Sequence, residues 1–478
     1  MNILLDLRVL SVLAGLLAGF QLFPVLLALA FEESPTALLQ SMLVSGSLSA
    51  VGLYVTRKTS TQLRPRDGYL VVSAGWYLAA VLGGLPYVFH GGMGWVDAFF
   101  ETASGFTTTG STVMTDIEVW PQSILLWRSI TQWLGGMGIL VMAVAILPFL
   151  GIGSTQLIRA EVPGPTKDRM TPRMIDTARI LWGVYVGITL FSVGMFMLCG
   201  MNWLEAIDHS FTAIATGGFS TRNLSLAAFS PAAQWWSVVV MAMGGMNFLI
   251  HYRFFIRRDT AVFKYEEFLG YLAIIGFFSL YICLVLLRET SLDWEESLRH
   301  ATFQVVSIMT TTGFASIDWE QWPGGLQLML GALMVIGGMS GSTGGGIKVV
   351  RGLIIIKTIQ NVTTRLLHPH QILSLKMDDV PISREFIENC IAMLILAIGV
   401  VMTTGMVLNA MGVDLLTAMG AALTCWANVG PGFANVGAMD NFSQIPTLGK
   451  AMLASVMIVG RLEIFTVLML FSSRFWRY

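Results

Sequence analysis

The chain has 478 residues, 55% of them hydrophobic and only 12% charged, with a mean hydropathy of +0.70. That balance excludes a soluble globular protein and describes a polytopic membrane protein. The net charge of −1 says nothing about partners, because in a membrane protein the placement of Lys and Arg carries the information.

A bilayer core needs about 20 apolar residues per helix. On that ruler the sequence predicts ten spans, near 4–30, 37–56, 68–89, 121–149, 176–200, 232–254, 267–287, 324–340 with a helical continuation to about 365, 386–410 and 448–473. No cleavage pattern follows the first run, so 3–31 reads as a retained helix. Four connections are basic: 57–66 (Arg57, Lys58, Arg64, Arg66), 159–173 (Arg159, Lys167, Arg169, Arg173), 253–264 (Arg253, Arg257, Arg258, Lys264) and 348–384 (Lys348, Arg351, Lys357, Arg365, Lys376, Arg384). Together they hold 18 of the 28 Lys and Arg. The positive-inside rule places them, and both termini, in the cytoplasm.

Four of the outer connections carry one motif. Aligned on Gly110, Gly218, Gly313 and Gly430, each copy has an alanine twelve residues earlier (Ala98, Ala206, Ala301, Ala418) and a hydroxyl six residues earlier (Ser104, Thr212, Ser307, Thr424). Each opens with a helical run of 10 to 14 residues, too short to span and suited to a re-entrant half-helix, and closes on polar residues and a glycine. Such loops can turn carbonyl oxygens toward one point and replace the water shell of a cation. Stripping that shell without replacement costs on the order of 20 kcal/mol in the idealised limit.

After each motif the following span repeats a second signature. Gly135-Gly136-Met137-Gly138, Gly244-Gly245-Met246-Asn247 and Gly337-Gly338-Met339-Ser340 begin 25, 26 and 24 residues beyond their motif glycines. The fourth version reads Gly460-Arg461-Leu462-Glu463, with an arginine at membrane depth that marks either a pathway or an internal ion pair with Glu463 or another carboxylate. The eighth span is interrupted at Gly341-Ser342-Thr343-Gly344-Gly345-Gly346, where four glycines cannot continue a stable helix. The unit is therefore span, re-entrant loop, span, used four times: 61–165, 166–262, 263–375 and 376–478, behind two extra helices in 1–60. The expected fold is an all-α membrane protein with these repeats around a central pore.

These motifs resemble those of the Trk/Ktr/HKT superfamily of cation transporters, in particular its TrkH branch. The matching residues are Gly105-Phe-Thr-Thr-Thr-Gly110, Ile214-Ala-Thr-Gly-Gly-Phe219, Met309-Thr-Thr-Thr-Gly-Phe314, Asn428-Val-Gly-Pro-Gly432, Gly341 to Gly346 and Arg461. The first two spans look like that branch's extra N-terminal pair. The resemblance implies potassium uptake across a bacterial inner membrane, a homodimer, and a cytoplasmic TrkA-like ring that binds nucleotide. It also implies a filter of carbonyls from Thr108, Thr109, Gly110, Thr216, Gly217, Gly218, Thr311, Thr312, Gly313, Asn428, Val429 and Gly430. The gate it implies is the loop Gly341, Ser342, Thr343, Gly344, Gly345 and Gly346, with Arg461. Ser111 and Pro431 depart from the Phe219 and Phe314 pattern.

A coupled potassium symport with protons or sodium is the alternative, with Asp97, Glu101 or Glu463 as candidate carriers. No enzyme is expected. His90, His209, His251, His300, His368 and His370 have no metal-ligand spacing, and Cys199, Cys283, Cys390 and Cys425 lie singly in apolar runs. Gly341 to Lys348 is not a phosphate loop, since Ile347 separates the last glycine from the lysine, so no nucleotide binding is expected of this chain. Membrane lipid is an expected partner and nucleic acid is not.

Overall fold

The computed structural model describes residues 2–59, 65–138, 174–371 and 374–477. Among these, six helices are long and apolar enough to cross a membrane: Ile3–Ala30, Thr36–Val55, Arg66–His90, Ala178–Leu198, Glu266–Glu289 and Arg384–Ala410. They match six of the ten expected spans. The other four differ in an instructive way.

Pro231–Gly244 and Phe248–Ile256 meet at 100°, and Thr447–Arg461 and Phe465–Phe471 meet at 115°. The helix Gly324–Ile336 stops before the glycine-rich loop, and helix resumes at Val349–Leu367. The span expected at 121–149 is helical over Gln122–Gly136, and residues from 139 lie outside the described part, as do 159–173. Wherever the second helix of a repeat is described past its glycine signature, it breaks there. The last break has no glycine at its corner: Glu463 and Ile464 both take the left-handed conformation, at φ 56° and 54°. For a β-branched residue this is a strained backbone.

The four half-helices are Trp95–Phe106, Trp203–Ile214, Trp294–Met309 and Leu415–Ala427, of 12, 12, 16 and 13 residues. Their starts are written in the sequence. Asn202 with Glu205, and Asp293 with Glu296, form capping boxes, while Asp414 accepts the Thr417 amide at 3.1 Å. The third runs longer than expected because its capping box lies well upstream.

The N-terminal pair closes by small-residue contacts. A Cβ on Gly52 would lie 1.9 Å from Ser11 Oγ, and one on Gly15 would lie 2.6 Å from Ser49 Oγ, so the two helices touch backbone to side chain. Gln21, between the two halves of the first span, donates to Ser41 Oγ at 2.9 Å. A two-stranded antiparallel pair, Lys376–Met377 with Val380–Pro381, is the one departure from helix and loop among the described residues.

Candidate functional site

Each half-helix ends in the same turn. The amide of the residue before the motif glycine reaches back five residues: Thr109 to Ser104 O (2.9 Å), Gly217 to Thr212 O (2.8 Å), Thr312 to Ser307 O (2.8 Å) and Val429 to Thr424 O (3.1 Å). This bond and a left-handed residue just before it define a Schellman cap, normally made with glycine. Here the left-handed residue is Thr108 (φ 55°), Thr216 (52°), Thr311 (61°) or Asn428 (58°). A side chain in that conformation costs roughly 1–2 kcal/mol. Four such costs at one place point to a function for those side chains.

Thr108, Thr216, Thr311 and Asn428 were expected as carbonyl donors, and their left-handed backbone and side-chain contacts were not. The signal was present as a polar residue two before every motif glycine, but three of the four are threonine, which is not a usual left-handed residue. The repeated hydroxyl six residues before the glycine has no common bond: Thr212 donates to Asp208 O and Ser307 to Phe314 O, while those of Ser104 and Thr424 make none. It is the backbone carbonyl there that all four share.

The motif glycines are themselves left-handed, at φ 86°, 80°, 81° and 104°. They pack in a closed cycle. A Cβ on Gly110 would lie 2.2 Å from Gly217 O, one on Gly218 2.0 Å from Thr312 O, one on Gly313 1.9 Å from Val429 O, and one on Gly430 2.8 Å from Thr109 O. Each loop thus presses its glycine on the carbonyl of the next, and the fourth returns to the first. Eight of the twelve residues singled out in the four loops make these contacts, and the other four, Thr108, Thr216, Thr311 and Asn428, adjoin them in the chain.

Buried side chains hold the ring from outside. Gln132 Nε2 donates to Gly217 O at 2.6 Å and its Oε1 accepts the Phe219 amide at 3.1 Å. Glu101, fully buried, takes Arg128 Nε at 2.7 Å, Thr112 Oγ1 and the Val113 amide, which fixes the chain just beyond Gly110. Asp97 pairs with Lys450 at 2.7 Å. Both carboxyls are therefore bonded to cations. Above the ring a cavity is lined by all four glycines together with Ser111, Pro431 and Asp440. Beside it, burial pushes the Glu320 carboxyl up to about 7, with Asp440 and Asp318 adding to the rise.

The glycine signature of the second helices has a contact reason. A Cβ on Gly135 would lie 1.8 Å from Phe106 O, one on Gly244 2.7 Å from Ile214 O, and one on Gly460 2.0 Å from Trp426 O. Those carbonyls are equivalent points near the ends of three half-helices. In the third repeat Gly344 of the interrupting loop takes this role instead, 2.7 Å from Thr310 O.

That loop lies under the ring and touches the second, third and fourth repeats directly, and it reaches the first through Arg461. The Gly345 amide donates to Thr311 Oγ1 at 2.6 Å, and Thr343 Oγ1 lies 3.1 Å from Thr216 Oγ1. The Gly346 amide donates to Ala427 O at 3.1 Å and that of Thr343 to Gly244 O at 3.2 Å. Arg461 joins the first repeat to it: Nη1 donates to Thr343 O (2.5 Å) and Thr108 Oγ1 (3.0 Å), and Nη2 to Gly135 O (2.8 Å) and Gly136 O (3.0 Å). Three of the four left-handed side chains thus point to the loop or to its arginine. The fourth, Asn428, donates to Thr109 Oγ1 at 2.9 Å and Met457 O at 3.0 Å.

Two sequence expectations are corrected here. Glu463 is the ion-pair partner of Arg351, not of Arg461. Lys348 and Arg351, counted with the basic cytoplasmic connection, turn inward: Arg351 is 7% exposed, and Lys348 Nζ donates to Gly344 O. Proximity in sequence to a basic loop put them on the wrong side of the count, because the chain turns at Lys348 (φ 81°) before the helix starts.

A model of the family described as TrkH, cation transport protein, matches residues 35–294 and 290–478. This chain belongs to the TrkH family. Among relatives, the Trk system potassium uptake protein TrkH of Halomonas elongata is 36% identical over 100% of both chains, and that of Escherichia coli K12 is 35% identical over 98% of both. The crystal structure of the potassium transporter TrkH from Vibrio parahaemolyticus superposes with a TM-score of 0.90, at 33% identity and full coverage of both chains. The chain is accordingly a membrane transporter of the TrkH family and not an enzyme. Other Trk components are implied by the system names of these relatives.

Proposed function

We propose that this chain takes up potassium across the inner membrane of a bacterium, both termini in the cytoplasm, through the ring formed by Thr108–Gly110, Thr216–Gly218, Thr311–Gly313 and Asn428–Gly430. The single observation that carries this reading is the closed cycle of glycine-on-carbonyl contacts, in which four loops of one chain meet around one axis. Carbonyls in such a ring replace the hydration shell of a cation without charged side chains. The half-helix ends add to this, because each aligned helix presents about half an elementary negative charge at its C-terminus.

The loop Gly341–Gly346 and Arg461 form the gate in this reading. The loop is uncharged, lies directly below the ring, and is held by an arginine whose charge opposes cation passage. We assign the four pore repeats to 61–165, 166–262, 263–375 and 376–478, behind the extra pair in 1–60. A homodimer bound to a cytoplasmic nucleotide-binding ring completes the assembly. The candidate carriers for symport, Asp97, Glu101 and Glu463, are each ion-paired within the chain, which favours uncoupled permeation.

Rubidium tracer uptake in cells lacking their own potassium systems tests the reading. Uptake that saturates with potassium as competitor and is unaffected by imposed proton or sodium gradients supports it. Absence of uptake from protein present in the membrane, alone and with its nucleotide-binding partner, overturns it.

A further inference from the structure

Arg461 is not the only basic side chain on the loop. Its Nη1 holds Thr343 O, and Lys348 Nζ holds the next carbonyl along, Gly344 O, from the opposite direction in the chain. The two grips are tied together below. Arg351, three residues past Lys348, is ion-paired with Glu463, two residues past Arg461, and Arg351 Nη1 also donates to Ile347 O at 3.1 Å. Both tied segments are bent and strained at that level. Lys348 sits at φ 81°, and Glu463 and Ile464 at 56° and 54°.

We propose that Lys348 is a second latch on the gating loop, and that the Arg351–Glu463 pair makes the two latches release together. This rests on the reading of Gly341–Gly346 as the gate. Two side-chain donors on adjacent carbonyls hold the loop more tightly than either alone, and Arg461 places positive charge where a cation would leave the ring. Because Arg351 lies in the first turn of Val349–Leu367, displacing that helix pulls on Lys348 directly and on the Arg461 segment through Glu463.

The test is rubidium flux through the full-length protein in liposomes, with deletion of 342–345 as the reference for an absent gate. Lys348→Met and Lys348→Gln should each raise flux roughly tenfold, the factor expected when one side-chain hydrogen bond to the closed state is lost. Lys348→Arg, which keeps a donor, should stay near the parent. Amide exchange at Gly345 and Gly346, read without any flux, should quicken in the two neutral variants. Arg351→Glu and Glu463→Arg should each raise flux, and the two combined should return toward the parent.

If the deletion raises flux while both neutral variants leave flux and exchange at the parent level, the latch is overturned and the gate stands. If the exchange double is no closer to the parent than its singles, the linkage of the two latches is overturned. If the deletion itself leaves flux unchanged, the gate falls and the latch with it.

Discussion

The ring and the layer directly beneath it are built on opposite plans. In the ring the four repeats are nearly equivalent: the same cap, the same left-handed residue, the same glycine pressed on the next carbonyl. Beneath it the likeness is incomplete. The first, second and fourth bring a glycine to their half-helix end, the third substitutes a loop, and the fourth adds an arginine beside its glycine. Where the backbone makes the contact, four-fold likeness is kept, and where side chains and an interruption make it, the repeats diverge. In the function proposed above, permeation rests on the first kind of part and control on the second.

The largest expected break in this comparison lies in the ring. Gly313→Ser and Gly110→Ser place a Cβ about 2 Å from a ring carbonyl, and each should reduce rubidium uptake by roughly hundredfold or shift it toward sodium. Gly430→Ser, with 2.8 Å available, should be milder. Unchanged potassium preference in the first two would show that the glycines do not set the ring.

Next comes the layer below. Removing 342–345, or Arg461→Ala, should raise flux by about tenfold or more, since about 1.4 kcal/mol of lost closed-state contact corresponds to that factor. Uptake measured with and without the nucleotide-binding partner should then differ less than in the parent.

A smaller effect separates the two layers at the residues they share. Thr311→Gly relieves a left-handed side chain but removes the acceptor of the Gly345 amide. Thermal stability should change by no more than about 1 kcal/mol, because the two terms oppose. Exchange of the Gly345 amide should nonetheless quicken.

The smallest effect is outside the ring. The Glu320 carboxyl is held above its ordinary range, up to about 7. Between its unfolded value and about 7 the folded protein binds the extra proton, so stability declines as pH rises through that window. Glu320→Gln should flatten the decline in a melting series, while flux at fixed pH stays at the parent level.

Much of the ring was legible because its signals are local. A glycine at a fixed offset from a short amphipathic run announces a turn at the end of a half-helix, and four copies announce a ring. The left-handed backbone of Thr108, Thr216 and Thr311 was not legible, because threonine gains nothing there except bonds to a distant loop or to Arg461. Nor was the corner at Glu463 and Ile464, where neither glycine nor proline marks the break. Lys348 was misread for the reverse reason: counting charges by loop treats neighbours in sequence as neighbours in space, and one left-handed residue separates the two. What contact with another repeat imposes on a residue cannot be seen from its own repeat.

The cycle of four contacts has one loose joint. Three glycines leave about 2 Å for a Cβ, while Gly430 leaves 2.8 Å against the first repeat. That joint is also spanned by Ser111 Oγ to Gly430 O at 3.0 Å, Asn428 to Thr109, and Arg461 to Thr108. A hoop of fixed links has one diameter, but a hoop with an adjustable clasp can be sized. Here the clasp lies where the first repeat of the chain meets the last, and its width is set by three side chains, so the bore can be altered there without remaking the other three links.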